Sequence, residues 1–164
     1  MAGTYGYQLA FTESVSAVTA TGTVALLTRR QEGGAEYVYV YNGGSTAAVG
    51  LGMIQSGFSA GTVVVTSALG DRCAGVVANV DLNAASYGWL KVKGPTTCIM
   101  DAGAGVNGDC VIGYGIKLNV NGKFAPAFVA STGTGITHAN QVCGVALAAI
   151  ASDASGRCYV NCYL

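Results

Sequence analysis

The side chains best suited to chemistry in this sequence are its six cysteines and its single histidine. They are Cys73, Cys98, Cys110, Cys143, Cys158, Cys162 and His138. A structural zinc site uses ligands in close pairs, because a short loop can hold both at one ion. The closest pair here, Cys158 and Cys162, has three residues between its members. The spacing therefore predicts neither a metal site nor a bound cofactor.

The compartment in which the chain is made bears on the state of these thiols. The amino-terminal residues show no basic stretch followed by an apolar core, so no signal peptide is predicted. We expect synthesis in a reducing cytoplasm, where buried thiols stay free, although the even number of cysteines leaves later disulfides open. On a strand, Cys158 and Cys162 share a face with Val160, and we expect this face to point to the core without binding metal.

Acid–base or nucleophilic catalysis finds little support. His138 lies in a stretch rich in Gly and Thr, typical of a loop, and is interpreted as a hydrogen-bonding loop or interface residue. Asp71 and Asp109 each follow a glycine, where aspartate more often caps a turn than acts as an acid or base. The glycine-rich segment 103–115 lacks the Lys-Ser/Thr of a phosphate-binding loop. We predict that the protein is not an enzyme.

Composition limits the remaining classes. The 164 residues are 51% hydrophobic and only 10% charged, with eight basic and eight acidic side chains and a formal net charge of zero. So apolar a chain is not a charge-solvated disordered tail, and a neutral chain lacks the electrostatic footprint of non-specific nucleic-acid binding. No apolar run is long enough to span a bilayer as a helix, so we expect neither a nucleic-acid nor a membrane partner. Low charge gives little repulsion between copies, which favours assembly.

A β-hairpin is the clearest local unit. Residues 24–41 contain an apolar run, a polar turn with Gly33 and Gly34, and the alternating sequence YVYVY. Tyr37, Tyr39 and Tyr41 then share one strand face, half-buried under a neighbouring element or subunit. A second alternating strand, residues 87–93, places Trp89 beside Tyr87, Lys91 and Lys93 on one face. These lysines and aromatics are explained equally well by a solvated sheet face and by a weak strip for single-stranded nucleic acid.

Further short strands follow along the chain. β-Branched runs separated by Gly, Asn, Asp or Ser predict strands at 62–66, 73–80, 97–100, 110–113, 127–130, 142–150 and 158–163. Short helices are predicted at residues 81–86 or 148–154. The fold class is therefore all-β, a small barrel or sandwich of short antiparallel strands.

An internal repeat relates two parts of the sequence. Residues 75–92 resemble residues 144–160: both begin with Gly-Val, pass through a loop of small residues ending in Ala-Ser, and continue from a glycine into a strand. Two similar strand–loop–strand units favour a closed or nearly closed sheet, which removes exposed edges.

The first 22 residues carry one charge and three aromatic side chains, Tyr5, Tyr7 and Phe11. We interpret residues 1–22 as an extended arm and residues 23–164 as a single β domain. Ordering an arm costs about 1–2 kcal/mol per residue in backbone entropy, so a partner surface would have to supply the compensating contacts. The alternative is an ordinary first strand packed within its own domain.

Several segments together resemble the capsid decoration, or cement, proteins of tailed bacteriophages. They are the hairpin with its aromatic–Val strand, the stretch GVV…AASYGWLKVKG, the later GD-x-V turn and the GVAL strand near the carboxyl terminus. The resemblance covers about residues 24–160, and its most specific piece is SYGWLKVKG.

The resemblance implies a non-enzymatic virion protein that is made in the host cytoplasm. It would bind the major capsid protein on the outer surface of the head, together with copies of itself as a homotrimer. Tyr5, Tyr7, Phe11, Tyr37, Tyr39, Tyr41 and Trp89 are the candidate interface residues. Alternative functions are another virion or surface-array subunit, such as a head fibre base or minor capsid protein, and a carbohydrate- or ligand-binding β module.

Overall fold

The regular structure of the described residues consists of ten β-strands and one 3-10 helical turn (Val120–Gly122). The computed structural model describes residues 13–56, 60–65, 72–101, 109–127 and 142–162. The strands are β1 (Arg29–Glu32), β2 (Ala35–Asn42), β3 (Gly52–Gln55), β4 (Thr62–Val65), β5 (Gly75–Val77), β6 (Ser86–Ile99), β7 (Gly115–Leu118), β8 (Phe124–Pro126), β9 (Val142–Ala146) and β10 (Ser155–Asn161). The predicted all-β fold is confirmed. Within the described ranges, no helix is long and apolar enough to cross a membrane.

The predicted short helices are wrong, because residues 81–85 and 148–154 form loops that lead into β6 and β10, and Ser86 is the first residue of β6. Ala85 and Asp153 have φ angles of 50° and 56°, in the left-handed region, which ends any right-handed helical turn. Leu82 also uses its backbone N–H and C=O in bonds to Ala47, at 2.9 Å each, and so cannot use them within a helix.

All ten strands belong to one sheet, in the order β1-β2-β4-β3-β5-β6-β10-β9-β7-β8, with an additional pairing between β2 and β6. The long strand β6 joins two predicted strands, 87–93 and 97–100, into one. Its first half pairs with β2 and β5, and its second half pairs with β10. At the junction Gly94 has φ +117°, and a Cβ there would lie 3.0 Å from the Ala35 side chain. The hairpin of β1 and β2 passes close to this junction.

The chain folds as two equivalent units that share β6. We call residues 35–92, with β2 to β5 and the first half of β6, the first unit. Residues 93–162, with the second half of β6 and β7 to β10, form the second unit. In the first unit the pairings run β2–β6–β5–β3–β4–β2 and close a ring. In the second they run β6–β10–β9–β7–β8, and a parallel bridge between Met100 and Phe124 completes the ring.

The register of the strands matches between the units. Val77 pairs with Leu90 as Ala146 pairs with Cys158, and Met53 pairs with Gly75 as Ile116 pairs with Gly144. The bridges Ala47–Leu82 and Cys110–Ile150 also correspond, as do the left-handed Gly50 and Gly113, with φ 92° and 83°. The repeat seen in residues 75–92 and 144–160 is therefore confirmed, and it extends to all five strand positions of each unit.

One continuous apolar core runs through both units. Its members include Val38, Val40, Met53, Leu90, Met100, Ile116, Phe124 and Val160. The units pack directly on each other at Gly52, where a Cβ would lie 2.4 Å from Leu118 of the second unit. A glycine is needed there because any side chain would separate the units.

Candidate interaction surface and buried thiols

The predicted tyrosine row is a buried aromatic cluster of the first unit. Tyr37, Tyr39 and Trp89 are almost fully buried, with Tyr39 at 0% exposure, and Tyr41 is half-buried. The Tyr39 ring centroid lies 5.0 Å from that of Trp89 and 6.1 Å from that of Tyr87. The alternation predicted from YVYVY is confirmed, since Val38 and Val40 on the opposite face belong to the main core.

Residues 13–24 of the same chain cover this cluster. Val15 packs within it, and Thr23 donates its backbone N–H to the Tyr39 hydroxyl at 3.2 Å. Thr19 exchanges two backbone hydrogen bonds with Tyr87, of 3.0 and 2.8 Å, because Tyr87 lies beyond the end of β5 and its edge would otherwise be open.

The burial of Tyr37, Tyr39 and Trp89 thus has a cause within the chain and needs no subunit contact. Val15, Thr19 and Thr23 contact their own domain, as in the alternative to the arm interpretation, and the division into an arm (1–22) and a β domain (23–164) stays a prediction. Tyr5, Tyr7 and Phe11 lie outside the described residues, and for them the arm stays a prediction. An interface role for the tyrosine row and Trp89 also stays a prediction.

The corresponding face of the second unit is open. The residues equivalent to Tyr39, Tyr87 and Trp89 are Thr97, Ser155 and Arg157, and all three are exposed. Next to them Val145 and Tyr159, which pair across β9 and β10, and Leu147 are 39%, 36% and 40% exposed. We call Thr97, Val145, Leu147, Ser155, Arg157 and Tyr159 the open face.

An unpaired backbone edge borders the open face at Ser155. Met100 donates its N–H to Ala154, and Leu147 donates to Arg157, so the N–H and C=O groups of β10 alternate between β6 and β9. The N–H and C=O of Ser155 point toward the β9 side, past the end of β9, as those of Tyr87 do in the first unit. Within the described part of the chain they have no counterpart to Thr19. This edge can accept one more strand.

The turn before β7 extends the apolar surface. Val111, Ile112 and Tyr114 are exposed, Ile112 to 65%, and this turn is tied to β9 by a 2.8 Å bond from Gly113 to Ala146. Contiguous exposed apolar side chains of this kind are typical of interaction sites. The open face was not predicted from the sequence. A signal was available in the repeat, whose second copy has no aromatic residues where the first has Tyr87 and Trp89.

A small cleft of about 360 Å³ lies between the β1–β2 hairpin tip and β10, with Glu32, Glu36, Lys93 and Tyr159 among its lining residues. Trp89 does not line it, and His138 lies outside the described residues. Two aspartates bond to the backbone of loops that are distant in the sequence. Asp81 accepts the N–H of Val49 at 2.8 Å, and Asp109 accepts that of Ser152 at 3.0 Å.

All six cysteines are buried and none forms a disulfide. Cys158 and Cys162 face the core together with Val160, as predicted. Three thiols converge between the two units: the sulfur atoms of Cys73, Cys143 and Cys162 lie within 4.8 Å of one another, and Cys73 and Cys162 are 3.5 Å apart. Sequence spacing did not reveal this group, because its members come from segments far apart in the chain.

The environment of the thiols disfavours ionisation. The hydrogen bond with Cys143, followed by burial, raises the pKa of Cys162 well above its usual value. For Cys73, a hydrogen bond from Cys143 lowers the pKa, but the neighbouring Cys162 and burial outweigh it and the pKa is raised overall. Burial raises the pKa of Cys110 to about 11. The thiols of Cys73, Cys110, Cys143 and Cys162, whose pKa values are raised, are therefore protonated at neutral pH. The hydrogen bond with Cys98 instead lowers the pKa of Cys158.

Comparison with known proteins gives one informative likeness. No family model matches the chain, and no curated protein matches it in sequence. Among solved structures, the chain is similar to the N base of the head fibre protein gp8.5 of bacteriophage phi29, with a TM-score of 0.51 and 12% sequence identity. The similarity covers 78% of this chain and 96% of that one. At this identity the likeness establishes a shared fold.

Proposed function

We propose that this chain is a non-enzymatic structural protein of a phage head, attached to the outer surface of the capsid. The observation that carries the proposal is the fold shared with the base of a phage head fibre, which extends over nearly the whole of that base. It agrees with the resemblance of residues 24–160 to capsid decoration proteins. It also agrees with the exposed apolar surface of the second unit, which suits a protein bound to a shell.

The proposed role has two forms, a capsid decoration protein and the base of a head fibre. A decoration protein covers many equivalent positions and clamps neighbouring capsid subunits, and its modest individual contacts are strengthened by the number of copies. A head fibre base continues outward into a fibre. The resemblance in sequence favours the first form and the shared fold favours the second.

In either form the expected partners are the major capsid protein and copies of this chain, with three-fold symmetry. The open face is the binding surface, because it combines exposed Val145, Leu147 and Tyr159 with the backbone of Ser155, which among the described residues has no partner on its β9 side. A low-charge chain has little electrostatic repulsion to oppose close packing of copies on a shell. The protein would be made in the host cytoplasm and would act on the capsid exterior.

Binding to heads purified without this protein tests the proposal. The full chain should sediment with the heads, and Val145→Glu combined with Leu147→Glu should weaken binding by at least tenfold, about 1.4 kcal/mol. Val80→Glu is the matched control, because Val80 is 41% exposed but lies in a loop of the first unit. Thermal melting should be similar for all three proteins.

Electron microscopy of reconstituted heads separates the two forms. Density that ends at the bound domain supports a decoration protein, and density that continues into a projecting fibre supports a fibre base. A full chain that does not bind heads, or that is found inside the shell, would contradict the proposal.

A further inference from the structure

The thiols of Cys73, Cys143 and Cys162 form a group with the dimensions of a metal site. With metal–sulfur bonds of about 2.3 Å, the sulfur atoms around one ion are roughly 3.8–4.0 Å apart, for tetrahedral and trigonal coordination respectively. The three sulfur atoms here lie within 4.8 Å of one another, and Cys73 and Cys162 are already 3.5 Å apart. Shifts of a few tenths of an ångström to about 1 Å would bring all three to an ion.

The three cysteines come from both units, and their thiols lie where the two units meet. Cys73 precedes β5 of the first unit, whereas Cys143 lies in β9 and Cys162 follows β10 of the second. The backbone N–H of Cys162 is also bonded to Val92 of the first unit, at 2.7 Å. An ion held by the three thiolates would therefore tie the two units together.

The other three cysteines have a simpler explanation. By the matched register, Cys98, Cys110 and Cys158 occupy the places of Val40, Ala47 and Leu90 in the first unit. All of these are core positions, so these cysteines act as small apolar side chains. They give matched controls, because replacing them by the equivalent residue of the first unit suits the packing.

We propose that Cys73, Cys143 and Cys162 bind one thiophilic d10 ion, Zn²⁺ or Cu⁺, between the two units. Thiolate sulfur is the ligand that selects these ions. Three thiolates carry three negative charges, so the buried group has a net charge of −1 with Zn²⁺ and −2 with Cu⁺. Because a buried net charge is unfavourable, this difference favours Zn²⁺. Closed three-thiolate coordination favours Cu⁺, because Zn²⁺ needs a fourth ligand, such as the backbone carbonyl of Gly75 at 3.4 Å from the Cys73 sulfur.

Binding exchanges protons for metal. Each thiol gives up its proton as its sulfur bonds to the ion, so three protons leave for each ion bound and no electrons are transferred. Because the free thiols are protonated, affinity rises with pH, by up to about 1,000-fold per pH unit below the thiol pKa values. Protonation at low pH releases the ion.

The experiment uses the full chain, reduced and handled without oxygen, with Zn²⁺ and Cu⁺ in separate titrations against a chromophoric chelator. Native mass spectrometry should show one ion per chain, and replacement by Co²⁺ should give a sulfur-to-cobalt charge-transfer band. Cys143→Ala should weaken binding by about 100-fold or more, since it removes one of three ligands. It should fold, because alanine is the equivalent residue, Ala74, of the first unit.

Cys110→Ala and Cys98→Val are the controls and should keep affinity within about threefold, since they remove thiols outside the group. Failure of both ions to bind stoichiometrically would overturn the proposal, as would equal binding by wild type and Cys143→Ala. A disulfide between Cys73 and Cys162 in the full chain purified without reductant would also overturn it. None of these outcomes depends on whether the protein binds capsids.

Discussion

The outer face of the first unit is closed by residues 13–24, whereas the same face of the second unit is open to solvent. The two faces have the same strand order and register, but the first carries Tyr39, Tyr87 and Trp89 where the second carries Thr97, Ser155 and Arg157. The aromatic rings provide apolar area that the covering segment buries. The comparison teaches that one backbone framework can serve stability in one copy and remain available for contacts in the other.

The buried cores of the two units also differ, in the residue types at three equivalent positions. Val40, Ala47 and Leu90 in the first unit are replaced by Cys98, Cys110 and Cys158 in the second, all of them buried. Cysteine is similar to these residues in its preference for burial, so the framework tolerates the exchange. The outer faces therefore differ in exposure, while the interiors differ mainly in residue type.

The largest expected effect comes from removing the ring at the centre of the closed face. Trp89→Ala should lower the free energy of unfolding by about 3–5 kcal/mol, because a buried aromatic side chain leaves a cavity. Arg157→Ala, at the equivalent exposed position, should change it by less than about 0.5 kcal/mol. Urea unfolding measures both values. Similar losses at the two positions would mean that the two faces do not differ as described.

Shortening the amino terminus distinguishes two roles of this segment, which are covering the aromatic cluster of its own domain and contacting a partner protein. Deletion of residues 2–20 should leave a folded β domain by circular dichroism but lower its stability by about 2–3 kcal/mol, as the burial of Val15 and the bonds of Thr19 are lost. Deletion of residues 2–12 alone should spare stability and, if Tyr5, Tyr7 and Phe11 bind a partner, weaken binding to heads about tenfold. Unchanged binding would remove the arm as a partner contact.

Two equivalent glycines test whether the units are packed alike. A Cβ at Gly88 would lie 2.7 Å from Leu82, and one at Gly156 would lie 2.4 Å from Ile150. Gly88→Ala and Gly156→Ala should each destabilise the protein by roughly 1–3 kcal/mol, because the added methyl group overpacks the loop contact. Thermal melting compares them, and a loss at only one position would weaken the equivalence of the units.

The smallest effect is expected when a buried cysteine of the second unit is replaced by the residue at the equivalent position of the first unit. Cys98→Val should change the free energy of unfolding by less than about 1.5 kcal/mol, since it is close to volume-conserving in an apolar site. Chemical denaturation under reducing conditions measures the change. A loss of several kcal/mol would show that the Cys98 thiol has a role beyond packing.

Much of the local structure could be predicted from the sequence. The alternation in YVYVY and YGWLKVK set which side chains of β2 and β6 share a face, and Gly33 and Gly34 marked the hairpin turn. The repeat also located equivalent strands, since Gly75 and Gly144 open the same strand position. The predicted helices failed because loops of small residues have no pattern that distinguishes a short helical turn from bends held by contacts such as that of Leu82 with Ala47.

The sequence by itself determined the all-β class, the strand faces and the two-fold repetition, because these follow from side-chain periods and turn residues close together in the chain. Only the tertiary structure decided which face is covered, that Ser155 lies past the end of β9 and that Cys73 meets Cys143 and Cys162. These features depend on pairings between residues tens of positions apart. Such pairings are selected by the closure of the sheet and the shared core, and no local pattern encodes them.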